Sequence, residues 1–169
     1  MSQRKDFRSR LLAGLNGKEE TFQANEKIGR SLIERFAATI GDRNPLYWDD
    51  EYAKKSPFKG IVAPPTFVFE VNFDVGAKIG EDGVYQGLRE WVGFDSNIQR
   101  AGNEYEMIRP VSPDDVISLR RRVLEVQEKK GKLGDFILLV TEITYTNQRG
   151  EILGIDRETL ALPLPNDAS

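Results

Sequence analysis

Residues 64–77 read Pro64-Pro65-Thr66-Phe67-Val68-Phe69-Glu70-Val71-Asn72-Phe73-Asp74-Val75-Gly76-Ala77. The fold depends on whether this stretch is a strand or a helix. Phe67, Phe69, Val71, Phe73 and Val75 alternate, the period of a strand. The same letters also form i, i+4 series, Phe67/Val71/Val75 and Phe69/Phe73/Ala77, and Pro64-Pro65 makes a good helix entry. A helix buried nearly all round has this composition too. Periodicity leaves both readings open.

The flanks are clearer. After an irregular, Gly-rich stretch at 80–97, the last 70 residues read as a strand meander, with strands at about 98–109, 115–128, 135–147 and 151–162. Ser112-Pro113-Asp114-Asp115, Lys129 to Asp135, and Asn147-Gln148-Arg149-Gly150 are the turns. The segment 135–147 is apolar on both faces, which predicts a central strand. Upstream, residues 4–15 predict a short amphipathic helix with Phe7, Leu11, Leu12 and Leu15 on one side, ended by Gly14 and Asn16-Gly17. A second helical stripe, Ile28, Leu32, Ile33, Phe36, Ala37, Ile40, stops at Gly41. Asn44-Pro45 reads as N-cap and first residue of another helix to about Lys55, with Asp49, Asp50 and Glu51 near its positive end. Residues 56–65 form a loop. Helices first and antiparallel strands after give an α+β class.

Composition narrows the chemistry. The 169 residues contain no histidine and no cysteine. Disulfides, thiol nucleophiles, His-based triads and His- or Cys-ligated metals are therefore excluded. An all-oxygen Mg²⁺ or Ca²⁺ site is still open to this composition, but no EF-hand spacing is present, and the expectation is no metal and no cofactor. With 24 basic and 27 acidic residues the net charge is −3, which gives no reason to expect nucleic acid or an anionic membrane as partner. A run of 18 apolar residues and a signal-peptide pattern are both missing, so a cytoplasmic location is the expectation. One domain over 1–169 fits the length, with a helical extension at 1–20 and a tail at 163–169.

Phe36-Ala37, Gly41-Asp42, Asn44-Pro45-Leu46 and Asp49 together resemble the MaoC-like branch of the hot-dog superfamily, the (R)-specific enoyl-CoA hydratases and related dehydratases. The loop from Phe58 to Phe67, ending Ile61-Val62-Ala63-Pro64-Pro65-Thr66-Phe67, resembles the entry to that fold's central helix. Glu104-Tyr105 with Arg109-Pro110-Val111-Ser112-Pro113-Asp114-Asp115 is similar to the family's strand–turn element. These matches cover residues 30–163, and the nearest subgroup is the FAS1-like dehydratase or MaoC N-terminal type. The resemblance implies a long central helix at about 64–78 wrapped by a curved antiparallel sheet, which settles the ambiguous stretch as helix. It also implies a homodimer, or a heterodimer with a second MaoC-like chain, and an acyl thioester of coenzyme A or acyl carrier protein as ligand.

Hydration of an enoyl thioester needs a base for water, an acid for the α-carbon and donors for the enolate oxygen. In active family members an Asp and a His five residues apart supply the first two. Here those positions are Asp42 and Tyr47. A phenol of ordinary pKa near 10 donates a hydrogen bond but is a poor base near neutrality. Where active members present a Gly N–H before the central helix, this chain has Pro64 and Pro65, which have none to give. Thr66 N–H is next in line. The resemblance thus assigns Asp42 and Tyr47 to the acid/base positions and Asn44, Pro65, Thr66, Phe67 and Arg109 to substrate binding.

Plainer readings stand beside these. A capped turn between two helices explains Asp42, Asn44 and Pro45 in any fold. Tyr47 and Trp48 suit a core or an interface, and Phe67, Phe69 and Phe73 suit core packing as well as an acyl tunnel. Arg120-Arg121-Arg122 is readable as a phosphate site or as a charged strand face, and Arg109 as a phosphate ligand or a surface ion pair. Two functions follow. The chain is either a catalytically incomplete hydratase/dehydratase subunit that pairs with a histidine-bearing partner, or a homodimer that binds acyl-CoA or another apolar ligand without chemistry. A homodimer active through Asp42 with water or Tyr47 is a third, and hot-dog folds also host thioesterases.

Overall fold

Antiparallel pairing of long strands organises the protein. A computed structural model describes residues 2–23, 27–70, 81, 86–92, 97–132 and 134–164, with the backbone alone at 2–8 and 86. The chain runs α1 (Ser2–Leu15), β1 (Glu19–Gln23), α2 (Arg30–Thr39), a 3₁₀ turn (Pro45–Tyr47), α3 (Asp50–Lys55), α4 (Phe67–Glu70), α5 (Gln86–Val92), β2 (Gln99–Met107), β3 (Ile117–Gly131), β4 (Gly134–Asn147) and β5 (Ile152–Pro163). The five strands form one sheet in the order β1-β3-β4-β5-β2, all neighbours antiparallel. The predicted central strand is β4, paired on both sides.

Period-2 alternation sets the buried face. On β4, Ile137, Leu139, Thr141, Ile143, Tyr145 and Asn147 are buried, and on β5 Asp156, Glu158, Leu160 and Leu162. This face carries two apolar clusters. One joins Ile117, Leu119, Ile143, Tyr145 and Leu153 to Ile33 and Ala37 of α2, Tyr47, and Phe67 and Val68 of α4. The other joins Ile137, Leu139, Leu160 and Leu162 to Leu11 and Leu15 of α1 and to Trp91 and Val92 of α5. Helix α4 lies tight on the sheet at Gly154, where an added Cβ would meet the Phe69 ring at 3.1 Å.

Several sequence expectations change. The helix expected over about 64–78 is described as Phe67–Glu70, and residues 71–78 lie outside the described residues. The single helix expected from Pro45 to Lys55 is two elements. Trp48 leaves helical geometry at φ −144°, and the Asp49 carboxylate accepts Tyr52 N–H to start α3 afresh. Within the stretch read as irregular, α5 is a helix, because Trp91 and Val92 have a core to enter. Of the expected stops, Gly14 sits inside α1, which runs to Leu15 and is followed by Asn16 and the left-handed Gly17, as expected. Leu32 and Ile40, read as part of the α2 stripe, are exposed.

Strand β1 escapes a reading by hydropathy because Glu19-Glu20-Thr21-Phe22-Gln23 is mostly polar. It pairs with Ser118–Arg122. Arg120 grips Glu19 through two nitrogens at 2.6 and 2.7 Å, and Arg121 reaches Glu20 at 2.9 Å. Arg122 points to the other partner strand and pairs with Glu142 at 2.6 Å. The arginine run is thus a set of cross-strand ion pairs. Among the described residues no helix is long and apolar enough to cross a membrane.

Candidate functional site

Helix α2 delivers Asp42. Its C-terminus closes with Gly41 N–H donating to Ala38 O (3.1 Å) and Asp42 N–H to Ala37 O (2.9 Å), with Gly41 at φ +73°. This is a Schellman closure, and a left-handed residue at that position favours glycine. The chain leaves the helix with its direction set, and the next five residues fold back. Asp42 Oδ1 accepts Asn44 N–H at 3.0 Å, and Asn44 Oδ1 accepts Leu46 N–H at 3.1 Å. Pro45 then starts the 3₁₀ turn, which swings Tyr47 onto Asp42. The Tyr47 hydroxyl donates to Asp42 Oδ2 at 3.1 Å. The two residues expected at the acid/base positions do meet.

What they can do follows from their surroundings. Tyr47 is 5% exposed. Burial first, and then the hydrogen bond to Asp42 and its charge, push the phenol up to about 12. At neutral pH it is protonated, so it can hydrogen-bond but cannot take up a proton. Asp42 in turn holds two donors of its own chain, one on each oxygen.

The second half of the site is the loop entering α4. Val62 N–H donates to Leu46 O (3.3 Å) and Ala63 N–H to Val111 O (2.8 Å), so the loop is stitched to the 3₁₀ turn and to the segment before β3. Pro64 is buried, while Pro65 and Thr66 are exposed. Phe67 N–H is taken by Pro64 O at 2.9 Å; among the described residues Thr66 N–H has no acceptor. Phe67 is a core residue, 1% exposed and edge-on to Phe36 with ring centroids 5.3 Å apart. Asn44 spends its carbonyl oxygen on its own cap. Arg109 stands apart, its guanidinium half-exposed and 3.7 Å from Glu151.

The sequence reading missed a second group. Asp156 and Glu158 occupy the inward phase of β5 that Leu160 and Leu162 share, and both are buried. Asn103 donates to Asp156 at 3.1 Å and Arg100 to Glu158 at 2.6 Å. Burial raises the Asp156 carboxyl despite that hydrogen bond. With Arg121 and Tyr145 they line a cavity of about 210 Å³ beside Phe69 of α4. Charged letters in the apolar phase of a strand were the available signal.

With this geometry in view, comparison with known proteins places the chain. The family model described as "FAS1-like, dehydratase domain region" matches residues 17–154. The chain is a FAS1-like dehydratase family member. A "UPF0336 protein" of Streptomyces avermitilis is 29% identical over 106 residues, 62% of this chain and 66% of that protein. A "probable enoyl-CoA hydratase alpha subunit" of Thermomonospora curvata is 26% identical over 160 residues, 90% of this chain. This FAS1-like chain spans only half of that relative's length and just under two thirds of the Streptomyces protein's. Among solved structures, a chain of the ChsH1-ChsH2 complex from Mycobacterium tuberculosis superposes with a TM-score of 0.70 at 20% identity, over 98% of this chain and 96% of that one. The fold of this FAS1-like protein is the MaoC-like hot-dog fold.

Proposed function

We propose that this chain is a catalytically incomplete subunit of an acyl-thioester hydratase/dehydratase that pairs with a second MaoC-like chain bearing the catalytic histidine. The observation that carries this reading is the closed Asp42–Tyr47 pair. Hydration takes a proton from water, adds the hydroxyl to the β-carbon and returns a proton to the α-carbon. A phenol held near 12 cannot accept the water's proton at neutral pH. Asp42 can still orient a water through a remaining lone pair, but it faces no second base. The oxyanion position is weakened too, since Pro64 and Pro65 have no N–H and only Thr66 offers one.

A partnered state has independent support. Among the described residues strand β2 is an edge of the sheet, with backbone groups unpaired on one side. Around its end Tyr105, Met107 and Ile108 of this chain segment and Ile152 at the start of β5 expose apolar side chains. Such an edge with such a patch is suited to a second chain. One relative is named an alpha subunit, and one structural neighbour was solved as a two-protein complex. Coenzyme A or acyl carrier protein thioester is the ligand class the family chemistry favours.

The test is loss of enoyl absorbance with crotonyl-CoA, for the chain alone, for Asp42→Asn, and after mixing with a histidine-bearing MaoC-like chain. Silence alone and turnover on mixing, retained with Asp42→Asn, is the expected outcome. Turnover by the chain alone that Asp42→Asn abolishes would establish a complete homomeric site and end this proposal.

A further inference from the structure

The buried face of the sheet is divided by a polar belt. Along β3, Ile117 and Leu119 give way to Arg121 before Val123. Along β4, Thr141 separates Ile143 and Tyr145 from Ile137 and Leu139. Along β5, Asp156 and Glu158 separate Leu153 from Leu160 and Leu162. The register sets these residues side by side: Arg121 opposite Ile143, Ile143 opposite Asp156, Thr141 opposite Glu158. Polar groups in such a place are costly unless each finds a partner. Here several do not. Among the described residues the Tyr145 hydroxyl, on a residue only 4% exposed, has no hydrogen-bond partner and belongs to the wall of the cavity. Arg121 Nε and Thr141 Oγ1 are buried and unpartnered as well.

We propose that this cavity receives the acyl portion of the thioester, and that the portion lodged there carries a hydroxyl group. The idea rests on the acyl-thioester reading above and narrows its substrate class. Three features select a hydrogen-bonding group that is not an anion. Arg100 is bonded to Glu158 and Arg121 to Glu20, and Glu70 adds a third carboxylate to the lining, so no guanidinium charge is left over for an anion. Tyr145 is a free donor, and Asp156 keeps one oxygen outside its bond to Asn103 as a free acceptor. A hydroxyl donates and accepts at once, so it answers both. A plain alkyl chain would leave the belt unsatisfied. The flanking clusters, with Phe69 and Leu119 on one wall, suit the apolar carbons on either side of that hydroxyl.

The experiment is calorimetric titration of the purified full chain with decanoyl-CoA and a matched set of monohydroxydecanoyl-CoA isomers, the hydroxyl walked along the chain beyond the β-carbon. At least one isomer is expected to bind about tenfold more tightly than decanoyl-CoA, the gain of one or two buried hydrogen bonds. Tyr145→Phe and Asp156→Asn should each bring that isomer down to the decanoyl-CoA affinity. Tyr145→Phe should not lower the melting temperature, because the hydroxyl it removes has no partner; a purely structural role would lower it. Equal affinity for all the thioesters, no binding at all, or an advantage that survives both substitutions overturns the proposal. The same acids without coenzyme A separate the two readings. A hydroxyl preference among free acids, with no thioester bound, keeps the cavity and discards the thioester. Thioester binding without any preference does the reverse.

Discussion

Tyr47 is where a single side chain decides the chemistry. A histidine there would exchange protons near neutrality, whereas a buried phenol bonded to a carboxylate does not. Its titration has a definite consequence for stability. Below about pH 10 Tyr47 is protonated in the folded and the unfolded chain, and its contribution is fully present. Between about 10 and 12 the unfolded chain ionises first, so stability falls as pH rises, by about 2–3 kcal/mol at most. Tyr47→Phe is expected to cost about 1 kcal/mol at neutral pH, for the lost bond to Asp42. It should also flatten the alkaline fall. Denaturant unfolding at pH 7 and across pH 9–12, compared with wild type, checks both parts; an unchanged alkaline limb would mean that Tyr47 titrates as an ordinary phenol.

At the scale of elements, the site is built by terminations. The end of α2 aims Asp42, the 3₁₀ turn returns Tyr47, and α3 is restarted by Asp49. Arg30 at the head of α2 clips this region together, bonding Glu34 on its own helix, Asp50 of α3 and the Trp48 carbonyl. On the far side, buried Asp115 holds the turn into β3, accepting Ser112 N–H at 2.8 Å and Arg149 at 2.9 Å. The most fragile of these devices is Gly41. A Cβ there meets no neighbouring atom, so the penalty for substitution is conformational alone. Gly41→Ala should destabilise the chain by about 1–2 kcal/mol, and Gly41→Asn by less, since asparagine tolerates the left-handed region. Thermal unfolding of the two variants reads the order; equal losses would point to a packing role instead.

For the whole molecule, the asymmetry of the sheet's two edges matters most. Strand β1 is five residues long and lined with charge, which discourages further pairing. Strand β2 is nine residues long and ends in exposed apolar side chains. Its other face is charged: Glu104 and Glu106 approach Arg157, which bonds Glu142 at 3.0 Å. Association through β2 predicts that Met107→Lys shifts the chain to a smaller species in analytical ultracentrifugation, or weakens its capture of a MaoC-like partner. An unchanged sedimentation profile for a wild type that does self-associate would move the interface elsewhere.

The sequence alone determined the β3-β4-β5 run, because alternation and turn residues are local and these partners are consecutive; β2, read as the first strand of the same meander, instead crosses to the far edge beside β5, a placement only the tertiary structure decided. The sequence also determined the α2 stop at Gly41 and the Asp42–Tyr47 spacing, which the turn chemistry of Asn44-Pro45 converts directly into contact. Absence of histidine and cysteine needed no structure. Tertiary structure decided the rest. Strand β1 exists because two arginines 101 residues away, Arg120 and Arg121, supply partners for its glutamates, and α5 because a core accepts Trp91. Phe67–Glu70 is helical although its letters alternate, since Gly154 leaves room for a helix against the sheet. The belt of Asp156, Glu158, Arg121 and Tyr145 arises from register across three strands, and no local pattern encodes a cavity whose walls are that far apart in the chain.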